Sequence, residues 1–323
     1  MDVVIAEKPD MGKAIARALG VRSTGKGVIR CQHGAVVTWA FGHLLQWPQP
    51  DEVDQQWGGG WRFDALPVAP RLGDLPLRPG DKNARGQLKA IGEQLKSADS
   101  VVLATDPDRA GEYIGRAILE HLGWTGPVKR LLVSSTETDD ITRAWREMDK
   151  DPDSGARTLA WRYEEEARAF GDYVEGYTGT RAASLKAPPA GFSGRDAVLP
   201  SGSVMTPTLA MVVRREREIE TFVPEPYYSV AARLTTPGGE AVTLTHEPDP
   251  RIGEKAAAET VAEAAKAAAA LDVTVETKAV QPSPPQAFDQ NALQKAAGKA
   301  FGWTPEKTLK VTQQLYDGGL VTY

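Results

Sequence analysis

The feature that most constrains this chain is a short apolar run followed directly by two carboxylates. Residues 101–104 are Val-Val-Leu-Ala, which suits a buried parallel strand, and Asp106 and Asp108 come just after them. Gly111 then opens a segment whose apolar residues recur at helical spacing. Open α/β sheets bind ligands at the carboxyl ends of their strands, so both carboxylates are expected at a ligand site. Because neighbouring carboxylates repel each other unless a cation lies between them, the loop predicts a Mg²⁺ site; the alternative is a solvated turn that caps the helix.

The first 150 residues alternate between strand-like and helix-like segments, which indicates a parallel α/β sheet. Beyond them the pattern is mainly helical up to about residue 220. Two strand-like segments joined by a Thr-Pro-Gly-Gly turn follow, and then an alanine-rich helix. The Pro-rich residues 281–285 indicate a domain boundary before two final helices. The predicted strands are residues 3–6, 35–40, 101–104, 130–134, 227–234, 241–245 and 273–278.

Composition and motif content exclude several classes of protein. The 323 residues include one cysteine, Cys31, so an internal disulfide framework and a zinc finger are ruled out. No apolar run approaches the roughly 20 residues of a membrane helix, and the chain opens on a strand, so a cytoplasmic protein is expected. The net charge of −5 argues against indiscriminate binding to polyanions but leaves local basic patches possible. Residues 20–27 imitate a phosphate-binding loop, but they follow a helix and have Gly27 where Ser or Thr belongs, so nucleotide hydrolysis lacks its usual motif.

Glu7 and Lys8 stand at the end of the first predicted strand. If the strands are parallel, these residues share one sheet edge with Asp106 and Asp108, which brings three carboxylates and an ammonium together. Crowding of carboxylates favours protonation of one of them, so Glu7 is expected to serve as a proton donor near neutral pH. The alternative is that Glu7 caps the following helix and Lys8 extends to solvent.

These residues form part of an ordered series of motifs along the chain. In chain order they are residues 6–9 (AEKP), 38–45 (TW with GHLL), 104–112 (ATDPDR with GE), 167–181 (AR, D, GY and TR), 202–209 (G, V and TPTL), 288–294 (F with ALQ) and 315–323 (LY with LVTY). The series resembles the type IA DNA topoisomerases, and among them bacterial topoisomerase III with its plasmid-borne relatives. An acidic loop alone is a weak signal, since primases and some nucleases share it. The series as a whole is specific, because the motifs follow the family's order across almost the entire chain.

The resemblance implies a multidomain architecture, of which this chain would hold an incomplete set. It would comprise an α/β TOPRIM domain with a parallel sheet, a helical domain, a small β-rich hinge domain and an arm that carries the nucleophilic tyrosine. The expected boundaries are residues 1–150 for the TOPRIM domain, 151–222 for the helical domain with its single-strand groove, 223–280 for the first hinge segment and 281–323 for the start of the arm.

The resemblance also implies a reaction, the transesterification of single-stranded DNA. Tyr323 would attack a phosphodiester and give a 5′-phosphotyrosyl link with a free 3′-hydroxyl, and strand passage and religation would follow without ATP. Lys8 and Arg109 would offset the charge at the phosphate. Glu7 would protonate the departing 3′ oxygen.

Cofactor and partners follow from the same resemblance. Mg²⁺ would be held by Asp106 and Asp108, with Glu112 as a further ligand. The partner would be single-stranded or negatively supercoiled DNA of the nucleoid or a plasmid, and a monomer without membrane attachment is expected. The groove residues expected to bind DNA are Arg168, Asp172, Arg181, Ser203 and Thr206.

The chain departs from the family pattern at several positions. Ala110 stands where the family has a third carboxylate, and Ser203 and Met205 replace an arginine and a glutamine of the expected groove. The sequence stops at Tyr323, whereas the family continues, so the 323 residues alone are expected to show little relaxation of supercoiled DNA. Two alternatives stay open. One is a catalytically impaired module that binds single-stranded DNA, and the other is a TOPRIM nuclease or primase.

Overall fold

The computed structural model describes residues 1–151, 153–187, 191, 197–248, 251–268, 276–317 and 320–321. The chain forms two compact units, one made of Met1–Pro207 with Asp289–Tyr323 and the other of Thr208–Phe288. The strands are β1 (Asp2–Ala6), β2 (Val21–Gly25), β3 (Val28–Cys31), β4 (Val36–Trp39), β5 (Leu45–Gln46), β6 (Arg78–Pro79), β7 (Ser100–Ala104), β8 (Val128–Arg130), β9 (Val230–Thr235) and β10 (Ala241–His246). The helices are α1 (Pro9–Ala18), α2 (Pro50–Val53), α3 (Lys82–Leu95), α4 (Arg109–His121), α5 (Thr138–Asp149), α6 (Ser154–Arg157), α7 (Leu159–Lys186), α8 (Met205–Glu220), α9 (Lys255–Ala267), α10 (Gln290–Phe301) and α11 (Pro305–Asp317).

A six-stranded sheet in the order β2-β3-β4-β1-β7-β8 forms the centre of the first unit. Strands β4, β1, β7 and β8 are parallel, which confirms the predicted α/β sheet. Strands β2 and β3 form an antiparallel hairpin at one edge, and β3 pairs antiparallel with β4. The sequence reading missed this hairpin, because β2 is exposed at all five residues and so lacks the apolar pattern of a strand.

Side chains of β1 alternate between the two faces of the sheet, and each face is covered by helices. Val3 and Ile5 pack against apolar residues of α3 and α4 on one side. Val4 and Ala6 pack against α1 and α5 on the other. Burial on both faces is what a parallel sheet requires, and it explains why β1 and β7 read as continuous apolar runs. The three layers leave the carboxyl ends of the parallel strands available for loops that carry functional side chains.

The long helix α7 packs along α4 and also anchors the long loop between β4 and α3. The Tyr173 hydroxyl donates to the Pro48 carbonyl over 3.1 Å, and the Thr178 hydroxyl accepts from the Val68 amide over 3.0 Å. Trp57 and Val68 of the loop are buried with Tyr173 in a separate apolar cluster. The loop is therefore held by side-chain packing and hydrogen bonds to α7, and the helices and strands within it are all short.

The second unit is small and contains the hairpin β9–β10, with α9 packed on β9. The hairpin was predicted, and its turn is closed by a hydrogen bond from the Thr236 amide to the Glu240 carbonyl, with Gly239 at a φ of 85°. The predicted strand at 273–278 falls partly outside the described residues, and residues 276–278 are not in a strand. None of the described helices is both long enough and apolar enough to cross a membrane.

Candidate active site

The ends of β1 and β7 bring together the carboxylate of Glu7, the ammonium group of Lys8 and the acidic loop. The two strands pair in parallel with Ala6 opposite Ala104, so the residues that follow them emerge side by side. Glu7 is buried, and its Oε2 accepts a hydrogen bond from the Asp106 amide over 3.1 Å. The Lys8 ammonium lies 3.0 Å from Asp106 Oδ2 and 3.6 Å from Glu7 Oε1. A half-exposed cation thus bridges two carboxylates from different strands.

The acidic loop has the backbone of a tight helix entry. Asp108 caps α4, because its Oδ1 accepts from the Gly111 amide over 2.7 Å. The Asp108 amide in turn donates to the Asp106 carbonyl over 2.8 Å. A Cβ atom placed on Gly111 would lie 2.1 Å from the Asp106 carbonyl oxygen, so no larger residue fits there without moving the backbone. Asp108 therefore caps the helix, as one of the two sequence interpretations proposed, and its second carboxylate oxygen can still bind a ligand.

Arg130 holds the acidic loop in place through the loop's backbone carbonyls, and the sequence analysis did not identify it. Its side chain is fully buried, and Nη1 donates to the carbonyls of Leu103, Thr105 and Leu131 over 3.2, 2.7 and 3.2 Å. Nη2 donates to the Asp106 carbonyl over 2.6 Å. Burial lowers the pKa of the guanidinium, and its ion pair opposes that change. The available signal was a charged residue beside the apolar run 131–133, since a buried arginine is rare unless it is paired.

Glu112 is the carboxylate that pairs with Arg130. Its Oε2 accepts from Arg130 Nε over 2.8 Å and its Oε1 from Arg116 Nε over 2.8 Å, and the side chain has no exposed surface. This placement does not fit the predicted role of Glu112 as a metal ligand, because both oxygens already bind guanidinium groups inside the protein. Glu112 and Arg130 instead join α4, β7 and β8 beneath the acidic loop.

The donor set decides whether the edge suits Mg²⁺. Asp106 and Asp108 offer hard oxygen ligands, and Mg²⁺ is usually bound by one or two carboxylates completed by phosphate oxygens and water. Among the described residues, no three Asp, Glu, His or Cys side chains are grouped to enclose a metal ion. One oxygen of each aspartate is used within the protein, by Lys8 and by the Gly111 amide. The pair therefore suits a cation whose coordination is completed by substrate.

Other predicted site residues lie along the first unit. Arg109 opens α4, is more than half exposed and lies 3.9 Å from Glu164, so its guanidinium stays accessible. Arg168 pairs with Glu165 and, over 2.5 Å, with Asp172, and its hydrogen bond to Glu165 raises its pKa.

The predicted groove residues Ser203 and Thr206 hold the segment before α8. The Ser203 hydroxyl donates to Asp172 Oδ1 over 2.5 Å. The Thr206 hydroxyl accepts from the Gly202 amide over 3.0 Å. Arg168, Asp172 and Ser203 are thus brought together in one polar network along α7.

Arg181 does not fit the predicted DNA contact. The residue is 7 % exposed, and its Nη1 donates to the Trp57 carbonyl over 2.8 Å. Its guanidinium also lies 5.7 Å from the centre of the Trp61 ring. The side chain therefore binds the long loop to α7. Tyr323 lies outside the described residues, so its position relative to Glu7 is not part of this geometry.

Comparison with known proteins decides the family. A DNA topoisomerase family model matches residues 160–323, and a Toprim domain model matches residues 2–136. The chain belongs to the DNA topoisomerase family. Among similar proteins, the DNA topoisomerase 3 of Salmonella typhimurium is 33% identical over 100% of this chain and 50% of its own length. That of Shouchella clausii is 33% identical over 97% of this chain and 41% of its own length, and that of Bacillus subtilis 31% over 99% and 42%.

The fold agrees with that membership. Full-length topoisomerase I from Thermotoga maritima superposes with a TM-score of 0.56 at 22% identity, over 97% of this chain and 46% of that chain. The predicted resemblance to type IA topoisomerases is therefore confirmed, as is the predicted combination of a Toprim α/β domain with a helical region. This family member spans about half the length of the curated relatives it matches.

Proposed function

We propose that this chain carries the DNA-cleaving chemistry of a topoisomerase III-like type IA enzyme, with single-stranded DNA as substrate and Mg²⁺ as cofactor. The observation that supports this most directly is the cluster at the ends of β1 and β7. Glu7 and Asp106 share a hydrogen bond, and Lys8 bridges both carboxylates. An acid and a cation beside an acidic loop are the groups that phosphodiester transesterification needs.

In the proposed step, the Tyr323 phenol loses its proton to solvent as its oxygen attacks phosphorus, the bond from phosphorus to the 3′ oxygen breaks, and the 5′ phosphate of the DNA becomes linked to the tyrosine. Glu7 gives a proton to the departing 3′ oxygen. Lys8 and Arg109 place positive charge at the phosphate as negative charge builds on its oxygens. Religation reverses these transfers.

Asp106 and Asp108 would hold the Mg²⁺ ion, which when bound supplies further neutralisation of charge at the phosphate. The Lys8 ammonium lies 3.0 Å from Asp106 Oδ2, so it would have to leave that oxygen if the oxygen held the ion. Lys8 would then turn from the carboxylate toward the phosphate. Arg130 and Glu112 keep the loop backbone in place during this exchange, because Arg130 binds the carbonyl groups of the loop and not its side chains.

A trapping assay tests the proposal. The chain is incubated with Mg²⁺ and a 3′-end-labelled single-stranded oligonucleotide, then denatured with SDS, and the label is expected to migrate with the protein. Tyr323→Phe should abolish the adduct. Glu7→Gln should slow its formation by roughly 10²- to 10⁴-fold, the usual contribution of a positioned acid.

The matched control is Tyr227→Phe, which removes an exposed phenol from the second unit. It should trap as much DNA as the unmodified chain. An adduct that survives Tyr323→Phe would refute the assignment of the nucleophile. DNA cut into free ends with no protein attached would instead support a TOPRIM nuclease.

A second candidate is a module that binds single-stranded DNA without cutting it. Ala110 in place of an acidic residue, together with the lack of a three-carboxylate group among the described residues, supports this reading. It predicts oligonucleotide binding with no covalent adduct at any Mg²⁺ concentration. A denaturation-resistant adduct excludes it.

Strand passage by the 323 residues alone is expected to be weak, since the relatives are about twice as long. We propose that the whole protein relaxes negatively supercoiled DNA as a cytoplasmic monomer associated with the nucleoid or a plasmid. A plasmid relaxation assay on the 323-residue chain checks the first expectation. Robust turnover by that chain would contradict it.

A further inference from the structure

A cleft of about 980 Å³ opens beside the acidic edge, on the side of β4. Its walls come from the β2–β3 turn with Lys26, the segment after β4 with Phe41 and His43, and the start of α3 with Lys82 and Asn83. That volume is at the upper end of pockets that hold small ligands, which run to roughly 1,000 Å³. None of the chemistry proposed above uses these residues.

The backbone that forms one side of the cleft is hydrogen-bonded to the end of β1, where the acidic site lies. The Gly42 amide, next to Phe41, donates to the Glu7 carbonyl over 3.2 Å, and the Ala40 amide donates to the Ala6 carbonyl over 2.8 Å. The segment that carries Phe41 is thus fixed to the residue proposed to protonate the leaving oxygen. The lining residue Phe41 is therefore a close neighbour of Glu7 in the fold.

The lining combines an exposed aromatic ring with cations. Phe41 is 53 % exposed, although a phenylalanine beside a well-packed sheet would ordinarily be buried. Lys26, in the β2–β3 turn, and Lys82, at the start of α3, both line the cleft and are exposed. Among the lining residues that the structure describes, Asp81 alone is acidic, and its Oδ1 caps α3 by accepting from the Ala84 amide over 2.7 Å.

The walls are held firmly. Gln87 Nε2, on the inner face of α3, donates to the Trp39 carbonyl over 2.6 Å and ties this helix to the end of β4. The Gly80 amide donates to the Leu44 carbonyl over 3.0 Å and joins the two sides of the cleft mouth. An exposed ring on a fixed support loses little conformational freedom when a planar group stacks on it.

We propose that this cleft binds the single-stranded DNA next to the scissile phosphate, with one base stacked on Phe41 and backbone phosphates near Lys26 and Lys82. The inference rests on the proposed function for the identity of the polymer. An aromatic platform between cations is the arrangement by which proteins bind single strands without reading sequence, at about 1–3 kcal/mol per stacked base. A duplex cannot offer an unstacked base to such a ring.

Fluorescence anisotropy with a labelled single-stranded oligonucleotide tests the proposal on the full chain without Mg²⁺. Phe41→Ala is expected to weaken binding about 5- to 140-fold, which is the stacking energy converted to affinity. Phe41→Trp should restore it. The double variant Lys26→Ala/Lys82→Ala should lower the slope of log affinity against log salt by up to about 1.4, or about 0.7 for each phosphate that is no longer neutralised.

Two matched controls keep the test specific. Phe63→Ala removes a ring of similar exposure, 57 %, that does not line the cleft. Lys96→Ala removes a lysine at the opposite end of α3, about 20 Å along its axis by the 1.5 Å rise per residue. Both should leave affinity and salt slope unchanged.

Three results would overturn the proposal. They are binding by Phe41→Ala within two-fold of the unmodified chain, equal losses in the Phe63→Ala control, or an equal loss for duplex and single-stranded DNA. The trapping assay on the unmodified chain is read separately. Absence of an adduct together with a large Phe41 effect would refute the cleavage chemistry while leaving the cleft assigned to single-stranded DNA.

Discussion

Removal of the Arg130 guanidinium is the sharpest perturbation of the acidic loop. Arg130→Met keeps the unbranched aliphatic part of the side chain but deletes the donors that bind four backbone carbonyls and Glu112. Breaking a buried ion pair from one side costs about 3–5 kcal/mol, because the remaining charge stays uncompensated. Glu112 keeps its bond to Arg116, which places the contribution of the ion pair at the lower end, about 3 kcal/mol, and any carbonyl left without a donor adds to that loss.

A double-mutant cycle separates the ion pair from the carbonyl contacts. Glu112→Leu alone leaves Arg130 and Arg116 facing each other and should cost about as much as Arg130→Met. If the pair carries most of the stability, Arg130→Met combined with Glu112→Leu should cost much less than the sum of the two. If the carbonyl bonds of Arg130 carry it, the double variant should remain nearly as unstable as the sum.

Urea unfolding followed by circular dichroism gives the free energy of unfolding, and amide hydrogen exchange in β7 reports on the first unit specifically. Arg130→Lys is the charge-preserving control; it keeps one cation but cannot reach all the carbonyls and should recover only part of the loss. A loss below about 1 kcal/mol for Arg130→Met, with unchanged exchange in β7, would refute the role given to Arg130.

Three further outcomes follow from the structure. Gly111→Ala should abolish adduct formation and destabilise the first unit, because the new Cβ meets the Asp106 carbonyl oxygen at 2.1 Å; Gly171→Ala, with nothing within 4 Å, should instead stabilise α7 by up to about 1 kcal/mol, as urea unfolding would show. Burial raises the pKa of Tyr113 from 10.0 to about 12, so above pH 10 the phenol ionises more readily in the unfolded chain than in the folded one. The free energy of unfolding should therefore fall by up to about 3 kcal/mol between pH 10 and 12 on account of this residue. Tyr113→Phe should abolish that part of the fall, as unfolding measurements at successive pH values would show. Burial also raises the pKa of the Cys31 thiol, so a thiol reagent at neutral pH should label it only after unfolding; rapid labelling of the folded chain would contradict its burial.

Local sequence patterns predicted the elements whose stability depends on their own residues. The apolar runs of β1 and β7, the amphipathic helices and the β9–β10 hairpin turn were all readable because periodicity and turn chemistry are short-range properties. The hairpin β2–β3 was not readable, since its exposed first strand is stabilised by pairing and not by burial. The family, too, came from short motifs in a fixed order, and comparison with known proteins confirmed it.

The sequence by itself determined that Glu7, Lys8, Asp106 and Asp108 stand at strand ends, because a parallel sheet gathers those ends on one edge. Only the tertiary structure decided which carboxylates that edge makes available. Glu112 and Arg130, which are 18 residues apart in the sequence, form an ion pair in the protein interior, out of contact with water. Arg181 donates a hydrogen bond to the carbonyl of Trp57, 124 residues earlier in the chain. A charged side chain can bind a ligand when it is exposed to solvent, whereas a buried one is used to hold the protein's own groups in place. Whether it is exposed or buried depends on how distant segments pack and not on the local sequence.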